Sequence, residues 1–240
     1  FSEYHHKHSH DAIGEFCDAL PGGRSAYNEC LREFVLSLYA KASKPGATYF
    51  LDKTPSYSLI AEEIFDLFPD AHFIFLWRNP LAVVASYCRT FLNGRWRVGR
   101  GQAQFLIGLP MLVEAARRHE RQVLQVTYES LVSKPESELS RVFSFLDLPN
   151  EAMALESFGD LQLTGWGDPT GTKRYSDITS APLDKWKDDL ASPIRKRWCR
   201  RFLEAIGDAN LAYMGYDKAK MLADLETLEN RYGWLPVDLA

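Results

Sequence analysis

The stretch Phe73-Ile74-Phe75-Leu76-Trp77-Arg78-Asn79-Pro80 decides how the rest of the chain is read. Five consecutive apolar residues, mostly aromatic or β-branched, form the pattern of a strand buried on both faces. The run passes without a linker into a basic residue, an asparagine suited to cap a helix, and a proline suited to the first helical position. A similar order of events stands earlier. Thr48-Tyr49-Phe50-Leu51 is short, aromatic and β-prone, and it leads into Asp52-Lys53-Thr54-Pro55. There Thr54 is placed to cap a helix that begins at Pro55 and turns Leu59, Ile60, Ile64 and Leu67 inward. A third apolar run, Val123-Leu124-Gln125-Val126-Thr127, ends at Tyr128-Glu129.

Strands alternating with helices imply right-handed crossovers and a parallel sheet, so the expected fold class is α/β, a three-layer α/β/α arrangement around a central parallel sheet. In such a sheet the carboxyl ends of the strands and the amino ends of the following helices share one edge. Lys53, Arg78 and Tyr128 are expected to converge there. Helix amino ends carry unpaired N–H groups and partial positive charge, and open α/β sheets bind ligands at that edge. The pattern therefore predicts a phosphate or sulfate site.

Outward from these turns, Ser25 reads as the N-cap of an amphipathic helix with Tyr27, Leu31, Phe34, Leu38 and Ala42 on one stripe, stopped at Lys44-Pro45-Gly46. The polar residues before it, with His5, His6, His8 and His10, read as a loop with room for a short helix. A basic loop of Arg95, Arg97 and Arg100 precedes a helix through Leu109 and Leu112, and Lys134-Pro135-Glu136 opens another with Leu139, Val142, Phe143 and Leu146 inward. A glycine-rich basic loop then runs from Gly165 to Arg174, its glycines permitting mobility or close approach to a ligand. Pro193 to Tyr213 reads as one long helix with Trp198, Phe202 and Ile206 inward, and Met221, Leu225 and Leu228 mark a short final one. No linker is long or polar enough to divide the chain, so residues 1–240 are expected to form a single domain.

Composition narrows the function. The 240 residues are 46% hydrophobic and 25% charged, which suits a globular chain, and the net charge of -4 argues against a dedicated nucleic-acid binder. Any anion site must be a local concentration of Lys and Arg. The longest apolar runs are short or broken by Gly108 and Pro110, so no membrane span is expected. Cys17, Cys30, Cys88 and Cys199 form no C-x-x-C pair, which suggests reduced structural thiols and a cytoplasmic setting. Adjacent histidines at a flexible end are poor preorganised ligands, and no metal is assigned to them.

The segments LDKTPSY (51–57), FPDAHFIFLWRNPLAVVASY (68–87), TYESLVSKPESELSRVFSFL (127–146), GDPTGTKRY (167–175), DKWKDDL (184–190) and YMGY (213–216) together resemble the sulfotransferase family that uses 3′-phosphoadenosine 5′-phosphosulfate, whose fold is P-loop-like. The resemblance implies that Arg78 and Ser86 grip the 3′-phosphate, a role that suits a planar guanidinium fork and a neighbouring hydroxyl. It implies that Lys53 is the catalytic lysine, offsetting charge on the leaving phosphate, and that Tyr128 lies against the adenine. Lys173 and Arg174 resemble the late basic pair that closes over the 3′-phosphate. Glu3 resembles the carboxylate that some members use as catalytic base. Arg95, Arg97 and Arg100 have no secure match in the family.

The sequence also departs from the family. A first strand and a loop that holds the 5′-phosphosulfate through backbone amides are missing, and Gly22-Gly23-Arg24-Ser25 imitates that loop without a preceding strand. An N-terminal extension carrying the loop is therefore expected. The reaction implied is sulfuryl transfer to a hydroxyl, or less readily an amine, with adenosine 3′,5′-bisphosphate as product and no metal. Two other readings stay open: a P-loop-type small-molecule kinase, for which neither G-K-[ST] nor a magnesium-binding acid is present, and a non-catalytic nucleotide-binding or scaffold protein. The expected partner is a small-molecule, carbohydrate, lipid or carrier-tethered acceptor. Nothing in the loops names which.

Overall fold

A computed structural model of the chain describes residues 6–149 and 183–230 and divides the chain into two units, Phe1–Ala71 and His72–Ala240. The first unit is helical. Helix α1 (His6–Ala19) fills most of the stretch expected to be a loop with a short helix, because Ile13, Phe16, Cys17 and Leu20 recur at helical spacing among the polar residues. Cys17 is buried, and Phe16 meets Tyr27 of α2 (Gly23–Ala42) edge-on at 6.4 Å. Helix α2 begins two residues before Ser25, and beyond Tyr27 its predicted stripe faces outward in this unit, with Phe34 61% exposed. The face carrying Arg32 and Tyr39 is the one engaged. Arg32 pairs with Asp70 at 2.8 Å, and Tyr39 stacks on Phe50 at 4.3 Å.

The sequence Thr48–Leu51 does not form the expected strand. Leu51 is 83% exposed, and among the described residues no strand pairs with this stretch. A strand is stabilised by its ladder, so β-prone residues without a partner remain simply extended. After Pro55 the chain makes a 3₁₀ turn, Pro55–Leu59, and then helix α3 (Ala61–Leu67), which buries Ala61, Phe65 and Leu67 rather than Leu59 and Ile60.

In the second unit the decisive stretch does form a strand. Strand β1 (Phe73–Trp77) pairs in parallel with β2 (Val123–Thr127), in a register running from Phe73↔Val123 to Trp77↔Thr127. The two match the expected strands residue for residue. Burial on both faces is not observed, however. Phe75 and Trp77 are buried while Ile74 and Leu76 on the alternate face are exposed, Leu76 by 54%, so within this unit only one side of the strand is covered.

Helix α4 (Pro80–Phe91) follows β1 and buries Leu81, Val84, Ala85 and Cys88, the spacing of an amphipathic helix against a core. The crossover back to β2 includes a 3₁₀ turn (Val98–Gly101), a π-helical segment (Ala103–Gly108) and helix α5 (Leu109–Arg118). Beyond β2 come α6 (Tyr128–Ser133) and α7 (Pro135–Phe145), on which Leu139, Val142 and Phe143 are half-buried, as is Leu146 just after it. The carboxyl-terminal helices are α8 (Lys185–Leu190), α9 (Pro193–Ile206), α10 (Asp208–Tyr213) and α11 (Lys218–Glu226).

The long helix expected from Pro193 to Tyr213 is two helices. Gly207, at φ 83° and ψ 156°, takes a conformation that only glycine adopts without strain, and it separates α9 from α10. Phe202 and Ile206 lie in the core as expected, but so do Arg195 and Lys196. Buried charge needs partners. Arg195 donates to the carbonyls of Asp189 at 2.8 Å and Gly94 at 3.1 Å and lies over the Trp96 ring, while Lys196 donates to the carbonyl of Leu228. The four cysteines are free thiols, and among the described residues no helix is long and apolar enough to cross a membrane.

Candidate active site

The parallel register determines what leaves the sheet edge. Because Trp77 stands opposite Thr127, the next residues, Arg78 and Tyr128, emerge side by side from adjacent strand ends. The Arg78 guanidinium lies over the Tyr128 ring at 4.3 Å, an attraction between cation and π face that also orients the planar fork. Both side chains are half-buried, and among the described residues no carboxylate forms an ion pair with Arg78. A half-buried, aligned guanidinium without an acid is suited to an anion from outside.

Each neighbouring helix start is capped. The Asn79 side chain accepts from the N–H groups of Leu81 at 2.9 Å and Ala82 at 3.4 Å, with Pro80 at the first helical position, as the sequence predicts. Thr127 accepts from Ser130 N–H at 3.2 Å and starts α6. Ser86 is half-buried on α4, about two helical turns beyond the cap.

Glu129 ties this edge together. One carboxylate oxygen accepts the Asn79 backbone N–H at 3.0 Å and the other accepts the Tyr216 hydroxyl at 2.7 Å. Burial, followed by the bond to Glu129 and its negative charge, pushes the Tyr216 hydroxyl far above its ordinary pKa, against the opposing charge of Arg78. Tyr216 is therefore a fixed donor near neutral pH.

Lys53 stands in the first unit, exposed, between Asp52 and Thr54. The expected Thr54 cap is not made; its hydroxyl donates instead to Asp52 at 3.0 Å. Asp52 also accepts from Tyr57 at 2.7 Å and from the Tyr39 hydroxyl of α2. Partial burial pushes its carboxyl up, but the bonds from Tyr39, Tyr57 and Thr54 outweigh that and hold it below the ordinary value. The same acid pushes Tyr57 up, and burial together with Asp52 raises Tyr39.

Glu3, Lys173 and Arg174, and with them the loop from Gly165 to Arg174, lie outside the described residues. Of the basic loop, Arg95 and Arg100 are exposed and Arg97 is half-buried. Among the described residues no cluster of His, Cys, Asp and Glu is arranged to hold a metal.

Sequence reasoning missed three features. The Asp52 hub was signalled only by its place inside LDKTPSY, and Tyr39 by nothing, since it lies on another helix. Tyr216 stands at the end of YMGY, but its partner Glu129 is 87 residues away. The burial of Arg195 breaks the rule that charged residues lie outside.

These features define an α/β protein with an anion-ready edge at the carboxyl ends of two parallel strands. A profile described as the sulfotransferase family matches residues 3–152, a range that includes Lys53, Arg78, Ser86 and Tyr128. The chain belongs to that family. It is similar to the nodulation protein NoeE of Sinorhizobium fredii (strain NBRC 101917 / NGR234), with 26% identity over 221 residues, covering 82% of this chain and 51% of that protein. The chain thus spans about half the length of this relative. Its fold is similar to that of the sulfotransferase domain from the curacin biosynthetic pathway, with 24% identity and a TM-score of 0.52 over 69% of this chain and 62% of the other.

Proposed function

We propose that the protein transfers a sulfuryl group from 3′-phosphoadenosine 5′-phosphosulfate to an acceptor hydroxyl. Membership of the sulfotransferase family supports sulfuryl transfer in general. The single observation that carries the choice of donor is Arg78, aligned over Tyr128 beyond two strand ends and without an acid partner among the described residues. Arg78 and Ser86 bind the 3′-phosphate, Tyr128 lies against the adenine, and Lys173 and Arg174 close over the nucleotide.

The acceptor oxygen attacks sulfur in line, and the bond from sulfur to the bridging oxygen breaks. Glu3 takes the acceptor proton, and Lys53 offsets the charge left on the departing phosphate. Fixed positive charge and positioning supply the rate, with no covalent enzyme intermediate and no metal. Acceptors of the small-molecule, carbohydrate, lipid and carrier-tethered classes suit this chemistry, and the likeness to a domain of a biosynthetic pathway favours a biosynthetic acceptor.

The test is ligand competition followed by turnover. Adenosine 3′,5′-bisphosphate without magnesium is expected to raise the melting temperature of the full-length protein, and ATP with magnesium is not. Transfer of sulfur-35 from the labelled donor to a panel of acceptors then reads activity. Stabilisation by ATP and magnesium alone would point to a kinase instead.

A further inference from the structure

The edge that carries Arg78 is held by a residue pair with no role in the reaction as proposed. Glu129 sits in the first turn of α6 and reaches across to the Asn79 N–H at 3.0 Å, so one carboxylate links the end of β2 to the turn that follows β1. Its second oxygen is taken by Tyr216, whose position is set by the backbone. Gly215, at φ 88°, donates to the Ala212 carbonyl at 3.0 Å, and the Tyr216 N–H donates to the Leu211 carbonyl at 2.8 Å. These two bonds form a Schellman close to α10, and the residue after the left-handed glycine is thereby aimed in a fixed direction. The hydroxyl that meets Glu129 is delivered by a helix end rather than by a mobile loop.

The charge arrangement adds a second reason. Glu129 follows Tyr128 directly, and Tyr128 carries the Arg78 guanidinium on its ring. A carboxylate left free in the turn beside an arginine is a ready partner that would neutralise it. Here both Glu129 oxygens are engaged by other donors, and no ion pair to Arg78 forms.

We propose that Glu129 and Tyr216 are a positioning pair, which fixes the Arg78-Asn79 turn and keeps the Arg78 guanidinium available to the phosphate of the sulfuryl donor. The phosphate part of this statement rests on the donor assignment above; the positioning part does not.

The experiment has two arms on the full-length protein. In the first, NMR reads the Arg78 Cδ protons, which a tyrosine ring beneath the guanidinium stem shifts upfield. Glu129→Ala and Tyr216→Phe are each expected to reduce that shift without any ligand. In the second, calorimetry reads adenosine 3′,5′-bisphosphate. Glu129→Ala is expected to weaken binding roughly tenfold, the scale of one lost hydrogen bond to a charged group, and Tyr216→Phe, which leaves the Asn79 bond in place, about threefold. In an Arg78→Ala background Glu129→Ala is expected to add no further loss, because it acts through Arg78.

An unchanged Arg78 signal in both variants would overturn the proposal. So would an equal binding penalty for Glu129→Ala with and without Arg78, or tighter binding in that variant. If Glu129→Ala fails to fold, Tyr216→Phe carries both readouts. If the wild-type protein binds no bisphosphate, the donor reading fails, and the NMR arm still decides the positioning role.

Discussion

The turn at Arg78 follows a main-chain ladder and is completed by side chains, whereas the turn at Lys53 is held by side chains without a ladder among the described residues. Ahead of Arg78 runs a five-residue parallel ladder, and after it come an asparagine cap and a bond from the Asn79 N–H to Glu129. Ahead of Lys53 there is no ladder among the described residues; instead Asp52 gathers the hydroxyls of Tyr39, Tyr57 and Thr54. A ladder spreads its stability over many backbone bonds, so the strand ahead of Arg78 rests on no single side chain, and Glu129 with Tyr216 sets only the turn that follows it. A hub concentrates three side-chain bonds on one carboxylate, so a change at Asp52 weakens all three together. The same chemical object, a basic residue before a proline-led turn, is thus mounted rigidly in one unit and conditionally in the other.

The comparison breaks first at the two cations. Arg78→Ala is expected to weaken adenosine 3′,5′-bisphosphate by about a hundredfold in calorimetry, the loss of a bidentate charge-assisted contact. Lys53→Ala is expected to reduce turnover by at least about a hundredfold in sulfur-35 transfer while bisphosphate affinity changes little. Equal effects of the two substitutions on binding would show that their roles are not divided in this way.

Next comes Asp52. Asp52→Asn is expected to lower turnover about tenfold by loosening the segment that carries Lys53, and to leave bisphosphate affinity unchanged. It also has a pH signature. Because the folded carboxyl titrates below its ordinary 3.8, its contribution to stability is present above that value and is lost as the pH falls through the lower folded value. The melting-temperature gap between wild type and Asp52→Asn should therefore be constant near neutral pH and close in acid. A gap that widens in acid would contradict the hub.

The smallest effects contrast the two caps. Asn79→Ala is expected to cost about 1 kcal/mol in denaturant unfolding, the usual value of a side-chain cap. Thr54→Ala is expected to cost under about 0.5 kcal/mol, since Thr54 makes no cap and gives only one exposed bond to Asp52. Similar costs at both positions would mean that the two helix starts are built alike.

Much of the second unit was legible because its signals are local. An apolar run, an asparagine and a proline specify β1 and the start of α4 within eight residues, and Val123–Thr127 matches its strand without adjustment. Where the reading failed, local preference lost to a missing or distant partner. Thr48–Leu51 has the composition of a strand but no neighbour to pair with among the described residues. The stripe on α2 has helical spacing, yet the neighbouring face, with Arg32 and Tyr39, is the one that reaches Asp70 and Phe50. Gly207 lies inside an otherwise periodic run, and a single residue with positive φ is enough to end a helix there.

By itself the sequence determined the alternation of strand and helix, the parallel sheet, the family and the identities of Arg78 and Tyr128, because periodicity, capping and motif order are carried by residues close together along the chain. Only the tertiary structure decided that Arg78 stacks on Tyr128, that Glu129 reaches Asn79 and Tyr216, and that Lys53 follows an acid hub rather than a strand. Those contacts join residues up to 87 positions apart. They depend on strand register and helix-end geometry, which fix directions in space that no local pattern encodes.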